Sequence, residues 1–177
     1  MNDKYKEIER KFLVDVENIP NLTERSYMDI TQGYVQKNIG GEYIYRLRQV
    51  LFATSKRVVL GDKYYQTIKG KGSKEREEYE IELFKNQFST MWRLCADLTI
   101  HKYRYMLVEA ELMEGNVCKE VALDVYKNDL EGLFTVEVEF DNLIDCDKYI
   151  PEPWFGKEVT EDFRYTNFKM SLDGRPE

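Results

Sequence analysis

The chain has 177 residues, of which 42% are apolar and 33% are charged, and its formal net charge is −7. This length and apolar content predict one globular domain with a hydrophobic core, which we place at residues 1–171 with a short tail at 172–177. The negative net charge argues against attraction to nucleic acid or anionic membranes, so neither is expected as a partner, although a local basic cluster can still bind an anion.

Strand patterns dominate the chain from its N-terminus. Tyrosine and phenylalanine, which favour pleated surfaces, occur thirteen and nine times. Turn signals such as Gly40-Gly41 and Gly61-Asp62 separate closely spaced strands, and short connections predict antiparallel hairpins. The predicted strands cover residues 5–14, 30–37, 42–52, 56–60, 63–70, 76–84, 101–112, 117–127 and 133–140.

Helices are predicted to be few. Apolar residues recur at helical spacing over 86–99, which makes this segment the best candidate. Thr160 is expected to cap the last helix, because Glu161 and Asp162 would then lie in its first turn. The predicted helices cover residues 17–26, 86–99, 142–149 and 160–171.

The three cysteines, Cys95, Cys118 and Cys146, are widely separated. An odd number without close spacing fits neither a disulfide framework nor a zinc site. The N-terminus has no apolar signal-peptide core, and no apolar run approaches the roughly 18 residues of a membrane span. These features predict a cytoplasmic protein; the oligomeric state stays open, with a homodimer as one alternative.

Charged side chains recur at alternate positions of the predicted strands. Alternate residues of a strand point to the same face, so Glu7, Glu9 and Lys11 share one face of the first strand. The same spacing recurs at Arg46 and Arg48, at Glu78, Glu80 and Glu82, at Lys102 and Arg104, at Glu109 and Glu111, and at Glu137 and Glu139.

These charged faces have two interpretations. Turned outward, they form an ordinary solvent surface of ion pairs. Turned inward, they must be paired or bind ions, since an isolated buried charge is costly. A polyphosphate with divalent metals would satisfy such an interior, because Arg and Lys bind phosphate oxygens and carboxylates bind Mg²⁺ or Mn²⁺. The residues alone leave both interpretations open.

The order of the motifs resembles the CYTH superfamily, the triphosphate tunnel metalloenzymes. The resemblance spans about residues 5–171 and favours the inward-facing interpretation. The stretch 49–62 is longer than the family pattern, which leaves the choice of substrate open. The matching motifs are Glu7-x-Glu9-x-Lys11, Arg46-x-Arg48, Thr67-x-Lys69-Gly70, Arg76-x-Glu78-x-Glu80, Lys102-x-Arg104, Asp124, Glu137-x-Glu139, Trp154 to Thr160, and Arg164 to Asn167.

The resemblance implies a mainly β (α+β) fold, an antiparallel closed β-barrel of about eight strands with a charged interior and flanking helices. It implies a metal-dependent triphosphatase that hydrolyses inorganic tripolyphosphate to pyrophosphate and phosphate. Within the family the alternatives are hydrolysis of thiamine triphosphate, hydrolysis of nucleoside triphosphates and class IV adenylate cyclisation. Outside enzymes, the alternative is a non-catalytic polyphosphate-binding module.

The resemblance also implies roles for the charged residues. The substrate would be bound by Lys11, Arg46, Arg48, Lys69, Arg76, Lys102 and Arg104. Two ions of Mg²⁺ or Mn²⁺ would be held by Glu7, Glu9, Glu78, Glu80, Asp124, Glu137 and Glu139. The catalytic set would be Glu7, Glu9, Lys11, Glu137 and Glu139. Strand parity places Glu109 and Glu111 outside the tunnel, and His101 on the outer face.

Overall fold

The computed structural model describes residues 6–19, 21–35, 42–95, 97–107 and 115–177. Eight strands close into a barrel in the order β1-β5-β4-β3-β2-β6-β7-β8, and every neighbouring pair is antiparallel. The predicted barrel is therefore confirmed. The strands are β1 Lys6–Leu13, β2 Tyr27–Tyr34, β3 Ile44–Ala53, β4 Val59–Lys69, β5 Glu75–Leu83, β6 Thr99–Leu107, β7 Glu120–Tyr126 and β8 Phe134–Phe140.

Three α-helices and three short 3₁₀ helices accompany the barrel in the described part of the chain. The α-helices are α1 Lys85–Trp92, α2 Leu143–Lys148 and α3 Asn167–Asp173. The 3₁₀ helices are Val16–Asn18, Asn128–Leu130 and Phe163–Tyr165. No helix among the described residues is long and apolar enough to cross a membrane.

The β3–β4 hairpin differs from the prediction. One strand, β4, replaces the two predicted at 56–60 and 63–70, because Gly61 continues the ladder opposite Phe52 instead of turning. The turn lies earlier, where the backbone N–H of Val58 donates to the hydroxyl of Thr54 and Arg57 has a φ of 61°. A positive φ at a non-glycine residue is uncommon and marks a tight turn.

The helices are shorter than predicted. Helix α1 ends at Trp92, because the N–H of Cys95 bonds back only three residues, to the carbonyl of Trp92. In the described part of the predicted helix 17–26, only Glu17 and Asn18 are helical, as the end of the 3₁₀ helix Val16–Asn18. Strand β6 is described as far as Leu107, so Glu109 and Glu111 lie outside the described residues.

The C-terminal segment is bound to β1 before it reaches α3. The hydroxyl of Thr160 accepts from the N–H of Lys11 at 3.0 Å, so it does not cap a helix as predicted. The cap of α3 is Thr166, whose side chain accepts from the N–H of Lys169 at 3.2 Å. Helix α3 continues to Asp173, two residues into the predicted tail.

Apolar side chains cover the outside of the barrel and one of its ends. On the outer wall, Phe88 of α1 packs on Tyr64 and Leu47, and full burial of such a side chain contributes about 1.5–3 kcal/mol. At that end, Tyr34 and Tyr126 pack with apolar side chains from β6, from the β7–β8 connection and from the C-terminal segment, which are Ile100, Leu130, Leu133, Val159, Tyr165 and Met170. The apolar core therefore lies outside and below the barrel, which leaves the interior to charged residues.

Candidate active site

A cavity of about 550 Å³ occupies the barrel interior. Alternation along the strands directs the charged residues inward, and all of the predicted site residues except Asp124 line this cavity. They are Glu7, Glu9, Lys11, Arg46, Arg48, Lys69, Arg76, Glu78, Glu80, Lys102, Arg104, Glu137 and Glu139. The structure thus gathers predicted site residues from six of the eight strands around one space.

The first group in the cavity joins β1 to β4 and β5. Lys69 Nζ lies 2.9 Å from both carboxylate oxygens of Glu7 and 2.6 Å from Oε2 of Glu78. Arg76 donates through Nε to Glu7 at 2.6 Å and through Nη2 to Glu9 at 2.7 Å. Burial favours the neutral form of Glu7, but the charges of Lys69 and Arg76 outweigh it and hold the pKa of Glu7 well below its usual range.

The second group joins β1, β6, β7 and β8. Lys11 Nζ lies 2.7 Å from Oε1 of Glu137, and Arg104 donates to Oε2 of the same carboxylate. Arg104 also donates through Nε and Nη2 to the two oxygens of Asp124, each at 2.7 Å, and Lys102 donates to Asp124 as well. Asp124 therefore lies behind these cations and does not face the cavity.

Two carboxylates in this second group are shared among three cations. Burial and the charge of Arg104 lower the pKa of Lys102 to about 8. Burial opposes the ionised form of Glu137, but Lys11 and Arg104 hold its pKa well below the usual range. The group carries an excess of positive charge, which suits an anionic ligand.

The third group joins β3, β4 and β5. Arg48 Nη2 lies 2.8 and 3.1 Å from the two oxygens of Glu80, and Arg46 Nη2 lies 3.3 Å from Oε2. Thr67 donates to Glu80 at 2.7 Å and accepts from Arg46 at 3.0 Å. The Nε atoms of both arginines are buried and have no hydrogen-bond partner among the described residues. Buried donors of this kind are normally satisfied, so they point to a missing acceptor.

A row of carboxylates crosses three strands at one end of the cavity. Glu139 lies directly opposite Glu9 on β1 and opposite Glu120 on β7. Among the described residues, the cation that contacts Glu139 is the exposed Lys119, at 3.2 Å. Burial and the charges of Glu120 and Glu7 raise the pKa of Glu139. Carboxylates placed opposite one another destabilise a sheet unless a cation lies between them.

The donors in the cavity fit a hard divalent cation. The carboxylates that line it offer the oxygen ligands that Mg²⁺ and Mn²⁺ prefer. The only histidine, His101, lies outside the cavity and bonds Asp29 at 2.8 Å. Within the described part of the chain, no three acidic, histidine or cysteine side chains are grouped closely enough to hold a metal ion as they stand. Most of the carboxylates contact lysine or arginine instead.

Several residues at the cavity escaped the sequence analysis. Gln32 and Tyr34 lie opposite Arg48 and Arg46 on β2, and Gln32 Nε2 donates to the Tyr34 hydroxyl at 2.7 Å. Burial raises the pKa of Tyr34 to about 12. Both side chains are uncharged, so a pattern of alternating charged residues does not include them. Glu120 could have been predicted from the sequence, since it is four residues before Asp124 on β7 and therefore points to the same face of the strand.

The chain was compared with known proteins and structures. No family profile matches it. It is 36% identical over 166 residues to an inorganic triphosphatase of Nitrosomonas europaea, which covers 94% of this chain and 97% of the relative. It is 31% identical over 171 residues to an inorganic triphosphatase of Acetivibrio thermocellus, with 93% and 92% covered. The crystal structure of the inorganic triphosphatase NE1496 matches 97% of each chain with a TM-score of 0.62 and 34% identity.

Proposed function

This chain belongs to the inorganic triphosphatases of the CYTH superfamily, and from that membership we propose that it hydrolyses inorganic tripolyphosphate to pyrophosphate and phosphate inside its barrel. The observation that carries the proposal is the third group in the cavity. There the Nε donors of Arg46 and Arg48 are buried without an acceptor in the described structure. Phosphate oxygens are suited to such forked donors.

The cations would bind the three phosphates along the cavity. Arg46 and Arg48 supply forked donors on one wall, and Arg104, whose Nε and Nη2 are bonded to Asp124, adds a third positive charge across the barrel. Asp124 holds Arg104 and Lys102 in place, so these donors are oriented before the substrate arrives. The remaining phosphate contacts are assigned to Lys11, Lys69 and Arg76.

The metal ions would be held by Glu7, Glu9, Glu137 and Glu139, with Glu78 and Glu80 assisting. Glu120, opposite Glu139, extends this set. When bound, divalent ions of this kind neutralise phosphate charge and lower the pKa of a coordinated water. Asp124, whose two oxygens are bonded to Lys102 and Arg104, is assigned to positioning those cations.

In the reaction, a water oxygen bonds to a terminal phosphorus as the bond from that phosphorus to its bridging oxygen breaks. The bridging oxygen leaves as part of pyrophosphate, and the proton released by the water passes to solvent. Charge therefore builds on the leaving group and on the transferred phosphoryl oxygens. Lysine and arginine side chains fixed in a closed barrel stabilise that charge with little rearrangement, which is the largest contribution to catalysis in reactions of this type.

A substrate panel tests the proposal. Release of phosphate, pyrophosphate and cyclic AMP should be measured from tripolyphosphate, ATP and thiamine triphosphate with Mg²⁺ or Mn²⁺. We expect kcat/KM for tripolyphosphate to exceed the others by at least roughly tenfold, which corresponds to about 1.4 kcal/mol in transition-state binding. Formation of cyclic AMP faster than hydrolysis of tripolyphosphate would instead establish a cyclase.

The cytoplasmic location and the homodimer belong to the same proposal. The three cysteines are free thiols, which supports a reducing compartment. Sedimentation equilibrium of the intact chain would measure the oligomeric state, and localisation of the tagged chain in its own cell would test the compartment.

A further inference from the structure

Glu80 makes an unusual set of contacts for a residue of a metal-binding cavity. Both of its oxygens accept hydrogen bonds from Arg48, one accepts from Arg46, and the same oxygen accepts from Thr67. The side chain is nevertheless 30% exposed, because it lies at the cavity surface. Its carboxylate thus occupies a place where two guanidinium groups converge.

A phosphate oxygen of a bound substrate would have to occupy the position that the Glu80 carboxylate now fills between the two arginines. Carboxylate and phosphate oxygens accept from arginine forks with similar geometry, so both compete for the Nη2 donors of Arg46 and Arg48. The Nε donors of these arginines are not used by Glu80. A phosphate could use the Nε and Nη2 donors together, and it would then displace the carboxylate.

We propose that Glu80 is an internal competitor of the substrate: it holds Arg46 and Arg48 in the free protein and must move away when a triphosphate binds. This inference rests on the proposed function. Glu80 is then a positioning residue, which keeps two buried arginines oriented and charge-compensated while the cavity is empty of ligand.

The displacement has a consequence for metal binding. Once a phosphate has replaced Glu80 in the hydrogen bonds to the two arginines, the Glu80 carboxylate lies beside the substrate without a positive partner. An unpaired charge is costly in a partly buried cavity. A divalent cation held by the cavity carboxylates would offset that charge. Triphosphate without metal should therefore bind weakly, and metal and triphosphate should strengthen each other's binding.

The experiment is calorimetric titration of sodium tripolyphosphate into the intact protein in excess chelator, where no hydrolysis occurs. Glu80→Gln should bind metal-free tripolyphosphate at least about tenfold more tightly than the parent, since a neutral amide competes poorly for two arginines. The control is Glu82→Gln, the same charge change two residues along β5. Glu82 is 55% exposed and forms an ion pair with the exposed Lys63, at 3.1 Å, so removing its charge should change the affinity less than twofold.

Thermal melts give a second readout. Glu80→Gln should lower the melting temperature of the free protein, because Arg48 loses the carboxylate it bonds and Arg46 is left with Glu78 at 3.8 Å. The same change should enlarge the increase in melting temperature that metal-free tripolyphosphate produces. A residue with a merely structural role would give the first change without the second. Equal or weaker binding in Glu80→Gln, or an equal gain in Glu82→Gln, overturns the inference. The proposed function is judged separately by turnover in the substrate panel.

Discussion

Asp124 and Glu80 each hold two cations inside the same barrel, but they do so in different surroundings. The side chain of Asp124 is 0% exposed and its two cations lie between it and the cavity. The side chain of Glu80 is 30% exposed and lies at the cavity surface itself. Asp124 therefore forms a fixed ion pair, which holds the cations of the site in position. Glu80 forms an exchangeable ion pair, in which a ligand can replace the carboxylate.

The fixed pair should show the largest effect on stability. Asp124→Asn leaves Lys102 and Arg104 buried without their shared counter-charge, and we expect it to lower the free energy of unfolding by about 3–5 kcal/mol. Urea denaturation of the free protein measures this. The control is Asp173→Asn, which removes an exposed ion pair to Lys169 and should cost less than about 1 kcal/mol. Similar small losses in both would show that the distinction between the two kinds of pair is wrong.

A third kind of carboxylate sharpens the comparison, since in the described structure the cation paired with Glu139 is the exposed Lys119. Glu139→Gln should reduce turnover of tripolyphosphate by about a hundredfold or more, roughly 2.7 kcal/mol, because a metal ligand is lost. Chelator should abolish turnover of the parent. Exposed Glu131, which does not line the cavity, provides the control Glu131→Gln. Full turnover in excess chelator would rule out this assignment.

The exchangeable pair should control binding more than stability. Arg48→Gln should weaken tripolyphosphate by about 1.5–3 kcal/mol, the range for a charged hydrogen bond, and leave the unfolding free energy of the free protein nearly unchanged. Melts with tripolyphosphate and Ca²⁺, once Ca²⁺ is known to support no turnover, would measure the ligand-induced shift. Arg164→Gln, which changes an arginine 57% exposed and outside the cavity, is the control. An equal shift in both variants would remove Arg48 from the site.

The smallest expected effect is a pH dependence that comes from Lys102. Burial and the charge of Arg104 hold its pKa at about 8, below the ordinary value for lysine, so its positive charge is present below pH 8 and is lost above it. Affinity for tripolyphosphate with Ca²⁺ should therefore fall between pH 7 and 9.5, by less than about tenfold. Lys102→Met should flatten this profile, whereas Lys127→Met on the outer wall should not. A profile unchanged by Lys102→Met would mean that another group titrates.

Much of the fold could be predicted from alternation alone. Strands such as β8, with Glu137 and Glu139 between buried valines, show their inner and outer faces in the sequence. Alternation does not tell inside from outside, however, and the family resemblance was needed for that choice. The alternation of charged and apolar residues also does not show which residues of neighbouring strands lie opposite each other. That register depends on where each hairpin turns, and the β3–β4 hairpin turns at 54–58 instead of at Gly61.

The parts of the site that escaped prediction share a physical cause. Gln32 and Tyr34 carry no formal charge, so only the register of β2 against β3 reveals that they face the cavity. Thr160 lies in a turn and Phe168 lies in α3, so the alternation of a strand does not show that they line the cavity. The role of Asp124 depends on which side of Lys102 and Arg104 it lies, a property of the packed side chains alone.

The ends of the chain meet in the barrel wall. Strand β1 pairs with β8, and beyond that Phe12 bridges to Glu158, while Arg10 bonds the same glutamate at 2.7 and 2.9 Å. Contacts across such long stretches of chain close late, because the entropy of a large loop is lost before the contacts form. Strand β1 can pair with β5 as soon as residue 83 has been made, but its ladder with β8 needs residues up to 140. Closure of the barrel between β1 and β8 is therefore expected to be the slow, late step of folding.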